Sequence, residues 1–142
     1  MGREIKFRGL DVMTGEWVYG NLVQTGVGMK YIIPKNFIAD EIPQWKVDKE
    51  TVGQYTGLTD RNDKEIYEGD IVKYLDAYGC STENGYDFSE FDNVGVIEWE
   101  EEEMRYSVTN RENIDLETFW ESKHIEVMGN IYEHPELLEG DK

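Results

Sequence analysis

The chain has 142 residues, 39% of them hydrophobic and 13% aromatic, and a net charge of −17. This length is typical of one domain, and the aromatic content argues against a disordered chain. Because an acidic field repels nucleic-acid phosphates and anionic lipids, we do not expect direct binding to nucleic acid or to a membrane.

Cysteine usage indicates a reducing compartment. Cys80 is the single cysteine, which excludes an intramolecular disulfide. The sequence has no apolar run with the length of a signal-peptide core or of a membrane span. We therefore expect a cytoplasmic protein.

The first 50 residues predict a β-hairpin region. Apolar and charged residues alternate from Ile5 to Arg8, and a turn at Thr14-Gly15 precedes an extended run from Trp17 to Val23. A further short strand is stopped by Pro34, which cannot donate to a strand ladder. Residues 35–50 fit either a loop or a short helix.

The central stretch GQYTGLTDRNDKEIYEGDIV places a charged cluster, Asp60 to Lys64, between two apolar runs. An EF-hand calcium loop starting at Asp60 fails, because Lys64 and Glu65 occupy its fifth and sixth positions. A phosphate loop fails as well, because no Gly-Lys-Ser or Gly-Lys-Thr follows and the nearby acids would repel phosphate. Asn62-Asp63 between extended flanks predicts a tight hairpin turn.

The second half of the chain combines one irregular stretch with a clear hairpin. Residues 76–93 lack a sustained period and are rich in Gly, Asn, Ser and Asp, which predicts a long acidic surface loop. A hairpin is predicted from 94 to 110, with Ile97 and Trp99 on one side of its tip and Tyr106 and Val108 on the other.

Two short helical segments are predicted near the end of the chain. Leu116, Phe119 and Trp120 have i, i+3, i+4 spacing within residues 115–122. Pro135 followed by Glu136 favours a first helical turn at the C-terminus. Short, closely spaced strands with little helix predict a mainly β fold, a small barrel or roll built from hairpins, and we expect the tryptophans to fill its core.

Residues that carry catalytic chemistry are sparse. Cys80 with His124 or His134 offers a nucleophile and a base, but Cys80 lies in a polar stretch without a glycine elbow. One cysteine and two separated histidines lack the spacing of a zinc site. The sequence therefore indicates no catalytic, cofactor or metal site, and a carboxylate- or metal-assisted hydrolase is retained only as an alternative.

Acidic and aromatic side chains mark the candidate contacts with a protein partner. They comprise a run of glutamates at the predicted hairpin tip and three aromatics in the predicted loop: Glu100, Glu101, Glu102, Glu103, Tyr86, Phe88 and Phe91. The glutamate run fits a bare solvated tip, an acidic prong for a basic partner, or a weak calcium or magnesium site. Sparse aromatics among acids are typical of a segment that orders on binding, and also of a plain solvated connection.

Four stretches, REIKFRGLD, VGQYTGLTDRNDKEIYEGDIV, GVIEWE and EVMGNIYEHPELL, occur in this order and resemble the YopX family of phage and prophage proteins. The resemblance covers both ends and the middle of the chain and leaves out 76–93. It implies a single YopX-like domain over residues 1–142, with a hairpin region at 1–50 and an SH3-like barrel or roll at 51–142. It also implies a phage or prophage origin and a homo-oligomer.

The chain departs from the family pattern at two positions. Asp63 stands where the family usually has glycine, which predicts a slightly strained turn. His134 stands where asparagine is common, which predicts weaker capping before the final helical turn. The family is functionally uncharacterised, so the resemblance transfers no catalytic residues.

These observations predict a non-enzymatic accessory protein that acts in the cytoplasm of a bacterial host by binding a partner with a basic surface. One alternative is an inhibitor that mimics nucleic acid and occupies a host DNA-binding protein. The second alternative is the hydrolase, and a third is a purely structural homo-oligomer.

Overall fold

The computed structural model describes residues 4–35, 44–83, 85–109, 113–116 and 124–138, with only the backbone at 76–82, 86–91 and 113. The chain divides into two compact units, residues 1–58 and 59–142. Both are built mainly from antiparallel strands, which confirms the mainly β prediction. In the described ranges, no helix is long and apolar enough to cross a membrane.

The strands are, in chain order, β1 Phe7–Leu10, β2 Trp17–Gln24, β3 Lys30–Ile33, β4 Trp45–Val47, β5 Gly53–Thr59, β6 Glu65–Tyr67, β7 Asp70–Thr82, β8 Gly85–Glu100, β9 Arg105–Thr109, β10 Asn113–Asp115 and β11 Ile125–Asn130. Two short 3-10 turns span Lys49–Thr51 and Pro135–Leu138. Residues 35–50 thus contain a strand, β4, that the sequence pattern did not indicate.

The strands of the first unit follow the order β4-β3-β2-β1-β5. Ile32 of β3 is fully buried between half-buried neighbours, and Val47 of β4 is buried as well. The guanidinium of Arg8 lies 4.4 Å from the ring centroid of Trp17, so this buried cation is covered by an aromatic face. The predicted N-terminal hairpin is confirmed by the pairing of Leu10 with Trp17.

One end of this sheet brings β4 against the residues that follow β1. A single bridge joins Asp11 and Val47, and the Val12 N–H donates to the Lys46 carbonyl oxygen at 3.0 Å. A Cβ on Gly9 would lie 2.9 Å from the Val47 Cβ, so the close approach requires glycine there. Because the contact is a bridge and not a ladder, the described strands of this sheet form no closed barrel. The SH3-like barrel predicted at 51–142 is not confirmed either, because the described strands there form an open sheet.

The strands of the second unit follow the order β10-β9-β8-β7-β11, which leaves β10 and β11 at opposite edges of the sheet. Its core is formed by large apolar side chains that are almost fully buried: Ile66, Ile71, Val72, Tyr74, Ile97, Val108, Leu116 and Ile125. The predicted hairpin at 94–110 is confirmed, because Ile97 lies opposite Val108 and Trp99 opposite Tyr106.

The predicted surface loop at 76–93 is wrong. β7 and β8 pair continuously from Ile71↔Val96 to Thr82↔Gly85, so the segment is a long hairpin. Apolar and polar residues alternate along a strand when one of its faces is buried. Backbone hydrogen bonds extend a hairpin even where the sequence shows no such alternation. The sequence signal for this hairpin is Gly85, which begins β8 and pairs with Thr82. Gly85 has a φ of 125°, which favours glycine.

The predicted helical segments are not confirmed. Asp115 belongs to β10, and the rest of the segment predicted at 115–122, apart from Leu116, lies outside the described residues. At the C-terminus, Pro135–Leu138 form one 3-10 turn. Helical spacing of three apolar residues is a weak signal, because short apolar runs occur in strands as well as in helices.

Candidate functional site

The charged cluster from Asp60 to Lys64 forms a tight turn, as predicted. The Asp60 N–H donates to the Lys64 carbonyl oxygen at 2.8 Å, and the Asp63 N–H donates to the Asp60 carbonyl oxygen at 3.0 Å. Asp63 has a φ of 62°, a left-handed conformation that glycine adopts without steric cost. The sequence predicted a strained turn because Asp63 replaces the glycine usual in the family. The positive φ places that strain at Asp63 itself.

The buried side chain of Asp60 organises this turn. Its Oδ1 accepts hydrogen bonds from the Asn62 N–H at 2.8 Å and the Lys64 N–H at 2.9 Å. Its Oδ2 accepts from the Val127 N–H of β11 at 2.8 Å. Both carboxylate oxygens thus accept hydrogen bonds from backbone N–H groups, so the role of the cluster is structural.

The hairpin tip, Glu100–Met104, connects β8 to β9. The Met104 N–H donates to the Glu101 carbonyl oxygen at 3.3 Å, and Met104 has a φ of 54°. Behind the turn, the rings of Trp99 and Tyr106 meet edge to face with centroids 5.0 Å apart. Trp99 is 41% exposed and Met104 is 71% exposed, so apolar surface borders the acidic side chains. The expectation that the tryptophans fill the core is wrong for Trp99.

The structure separates the four glutamates of the hairpin tip into two groups. Glu100 Oε1 lies 2.7 Å from Arg105 Nε, and Arg105 Nη1 lies 3.8 Å from Asp115 Oδ2. The hydrogen bond to Glu100 raises the pKa of Arg105 above its usual value. Glu101, Glu102 and Glu103 are exposed. The interpretation of a fully solvated run is therefore wrong for Glu100, whose ion pair joins the two strands below the turn.

The three predicted aromatic contacts lie on β8, in the part of the hairpin where only the backbone is described. Each is opposite a residue of β7, in the pairs Tyr86↔Ser81, Phe88↔Gly79 and Phe91↔Asp76. At about 3.3 Å per residue, Phe91 lies roughly 30 Å along the strand from Glu100. The structure therefore does not bring the aromatic and acidic candidates into one site.

A groove in the first unit was not predicted from the sequence. It has a volume of about 580 Å³ and lies where the turn after β1, the turn after β2 and the end of β4 converge. Its lining includes the apolar side chains of Val12, Val27 and Met29, which are 51%, 82% and 37% exposed. Three lysines also line it: Lys30, Lys46 and Lys49. We call this feature the lysine-rimmed groove.

Local hydrogen bonds occupy the two acids of the lysine-rimmed groove. Asp11 Oδ1 accepts from the Met13 N–H at 2.8 Å, and Asp48 Oδ1 accepts from the Glu50 N–H at 3.1 Å. Within the described part of the chain, none of the three lysines forms an ion pair. The groove therefore combines exposed apolar surface with cations available to an acidic ligand.

Charge is distributed unequally between the two units. Residues 1–58 contain seven acidic and seven basic side chains, whereas residues 59–142 contain 24 acidic and seven basic ones. The whole net charge of −17 thus belongs to the second unit. The sequence contains this difference in charge, but the difference can be assigned to two units only once the structure gives the boundary after Leu58.

The histidines and acids of the described residues do not assemble a metal centre. No group of three or more His, Cys, Asp or Glu side chains in the described ranges is placed to hold a metal ion. His124 lines a cavity of about 190 Å³ in the second unit, next to the ion pair between Lys73 and Glu126 at 3.5 Å. His134 Nδ1 accepts from the Asn130 N–H at 3.3 Å. The side chain of Cys80 lies outside the described atoms, so the structure does not test the Cys80–histidine pair against which the sequence argued.

Comparison with known proteins identifies a family without an assigned activity. A family model described as "YopX protein" matches residues 6–139. Among solved structures, the crystal structure of protein EF1440 from Enterococcus faecalis is similar, with 20% sequence identity and a TM-score of 0.48. That match covers 96% of this chain and 99% of the other chain. No curated protein gives a significant match.

Proposed function

The chain belongs to the YopX family, and from that premise we propose that it is a non-enzymatic accessory protein that binds a protein partner through the hairpin tip. We place its action in the cytoplasm of a bacterium that carries the phage or prophage. The partner has a basic surface around an apolar pocket, as the chemistry of the tip requires.

The observation that carries this proposal is the composition of the hairpin tip. Glu101, Glu102 and Glu103 form an exposed acidic turn, flanked by the exposed side chains of Trp99 and Met104. Aromatic and methionine anchors supply most of the binding energy in protein interfaces, and surrounding charges supply specificity and association rate. The ion pair of Glu100 with Arg105 fixes the two strands, so part of the ordering cost of binding is already met.

The test is capture of partners from bacterial extract by the immobilised chain. Changing Glu101, Glu102 and Glu103 to serine removes three charges and leaves the Glu100–Arg105 pair intact. The matched control changes three exposed acids elsewhere, Glu16, Glu50 and Glu136, to serine. We expect the tip variant to lose its basic partners and the control variant to retain them. Equal recovery with both variants would exclude the tip as the contact.

A second candidate function is mimicry of nucleic acid, favoured by the concentration of charge in the second unit. The second unit contains 24 acidic side chains and only seven basic ones. A mimic and DNA occupy the same site on a DNA-binding protein, so duplex DNA would release the captured partner. Binding through the hairpin tip and mimicry of nucleic acid both weaken with added salt. Competition with DNA at constant salt therefore distinguishes the two. Retention of the partner in excess DNA would reject mimicry and leave tip binding in place.

A further inference from the structure

The lysine-rimmed groove has the chemistry of a docking site for an acidic segment with an apolar side chain. Val27 at 82% exposure and Val12 at 51% exposure are unusual for apolar residues of a soluble protein and lie together at the groove. Lys46 and Lys49 are exposed beside them. A volume of about 580 Å³ is within the range of ligand sites and accommodates one or two large side chains.

The chain itself carries a segment with the complementary chemistry. The hairpin tip presents the carboxylates of Glu101–Glu103 between the apolar side chains of Trp99 and Met104. Acidic side chains can reach the groove lysines while the apolar ends fill the space between Val12, Val27 and Met29. The charge and the apolar surface of the tip thus match those of the groove.

We propose that the lysine-rimmed groove of one molecule binds the hairpin tip of a second copy of this chain. This inference rests on the proposed function, because both use the tip as the contact, and it adds a second copy of this chain as a further partner of the tip. The tip and the groove are different surfaces, so the interface is heterologous and each molecule offers one of each. Association therefore proceeds head to tail and gives open chains or rings.

The unequal charge of the two units selects this orientation. Two second units repel one another because each carries the net charge of −17. A first unit has no net charge, so an acidic tip approaches its lysines without that repulsion. The head-to-tail contact is the arrangement that pairs opposite charges, whereas tip-to-tip contact pairs like charges.

The test is analytical ultracentrifugation of the purified chain at 0.15 M salt over increasing concentration. The groove variant is Lys46→Glu with Lys49→Glu, and the tip variant is Glu101→Lys with Glu103→Lys. The control variant, Lys35→Glu with Lys64→Glu, makes the same charge change at exposed lysines that do not line the groove. All of the changed side chains are exposed, and circular dichroism checks that each variant folds.

We expect the average mass of the wild-type chain to rise with concentration. The groove variant and the tip variant should each associate about 100-fold more weakly, which is about 2.8 kcal/mol, because each variant reverses two charge attractions of the contact. Mixing the two variants should restore association to within about tenfold of wild type, because the reversed groove and the reversed tip attract. The control variant should associate as the wild type does.

Three results would overturn the inference. They are a monomeric wild type at every concentration, association that both variants retain, and variants whose mixture stays dissociated. None of these results bears on the capture experiment, which uses a different partner and an intact groove. Conversely, unaltered capture by the serine tip variant would reject the proposed function and leave self-association to be decided by sedimentation.

Discussion

Removal of the Asp60 carboxylate tests whether the charged cluster is a scaffold. The carboxylate accepts three backbone hydrogen bonds, from Asn62 and Lys64 within the turn and from Val127 on β11. Asp60→Ala removes both acceptor oxygens and therefore all three hydrogen bonds. Asp60→Asn keeps one carbonyl oxygen for the turn and presents an amide donor toward the Val127 N–H.

The expected cost follows from where the three donors lie. Asn62 and Lys64 are exposed, so water replaces the lost acceptor and each bond counts for about 1 kcal/mol. The Val127 N–H lies in a strand on a half-buried residue, and leaving it without an acceptor costs about 2 kcal/mol. We therefore expect Asp60→Ala to lower the free energy of unfolding by about 4 kcal/mol, and Asp60→Asn to lower it by about half as much.

Urea unfolding followed by circular dichroism measures this free energy, with Asp92→Ala as the control for loss of an exposed carboxylate. A domain is typically stable by only 5–15 kcal/mol, so the Asp60→Ala loss is large enough to shift the urea midpoint clearly. If Asp60→Ala costs no more than Asp92→Ala, the carboxylate does not organise the turn. Stabilisation of the wild type by added calcium, absent in Asp60→Ala, would show that the cluster binds an ion.

Two further substitutions test the backbone geometry. Gly95→Ala places a Cβ 2.8 Å from Val108 Cγ1 and 3.0 Å from the Thr109 carbonyl oxygen. We expect the free energy of unfolding measured in urea to fall by roughly 1–3 kcal/mol. An unchanged free energy would show that β8 and β9 approach each other less closely. Asp63→Gly relieves the positive φ of 62° and should raise the melting temperature by a few degrees, whereas Asp63→Ala should not raise it. Equal melting temperatures for these two variants would refute backbone strain at this position.

The sequence predicted the elements that local chemistry determines. The turn at Asn62-Asp63 and the hairpin around Trp99 and Tyr106 depend on residues close together in the chain, and both are confirmed. The prediction for 76–93 is wrong because its hairpin forms by backbone pairing, from Ile71↔Val96 to Thr82↔Gly85, without an apolar period in the sequence. The barrel predicted at 51–142 is not closed among the described strands, because β10 and β11 lie at opposite edges of their sheet, and strand order is a long-range property that no local pattern records.

The difference between local signals and long-range contacts also explains why the sequence indicated the glutamates of the hairpin tip and not the lysine-rimmed groove. The glutamates of the hairpin tip are consecutive, so composition alone marked them, although only tertiary contact distinguishes Glu100, paired with Arg105, from its exposed neighbours. The lysine-rimmed groove draws on three separate stretches around Val12, Met29 and Lys46, none of which is unusual by itself.

An isolated lysine in sequence is an unremarkable solvated residue. It becomes a candidate ligand contact when folding places it beside exposed valine and methionine side chains and leaves the nearby carboxylates occupied by backbone N–H groups. In the proposed self-association, the acidic second unit approaches the first unit of a neighbouring copy, which carries no net charge. Charge segregation between the two units, rather than total charge, is therefore the physical property on which the proposed self-association depends.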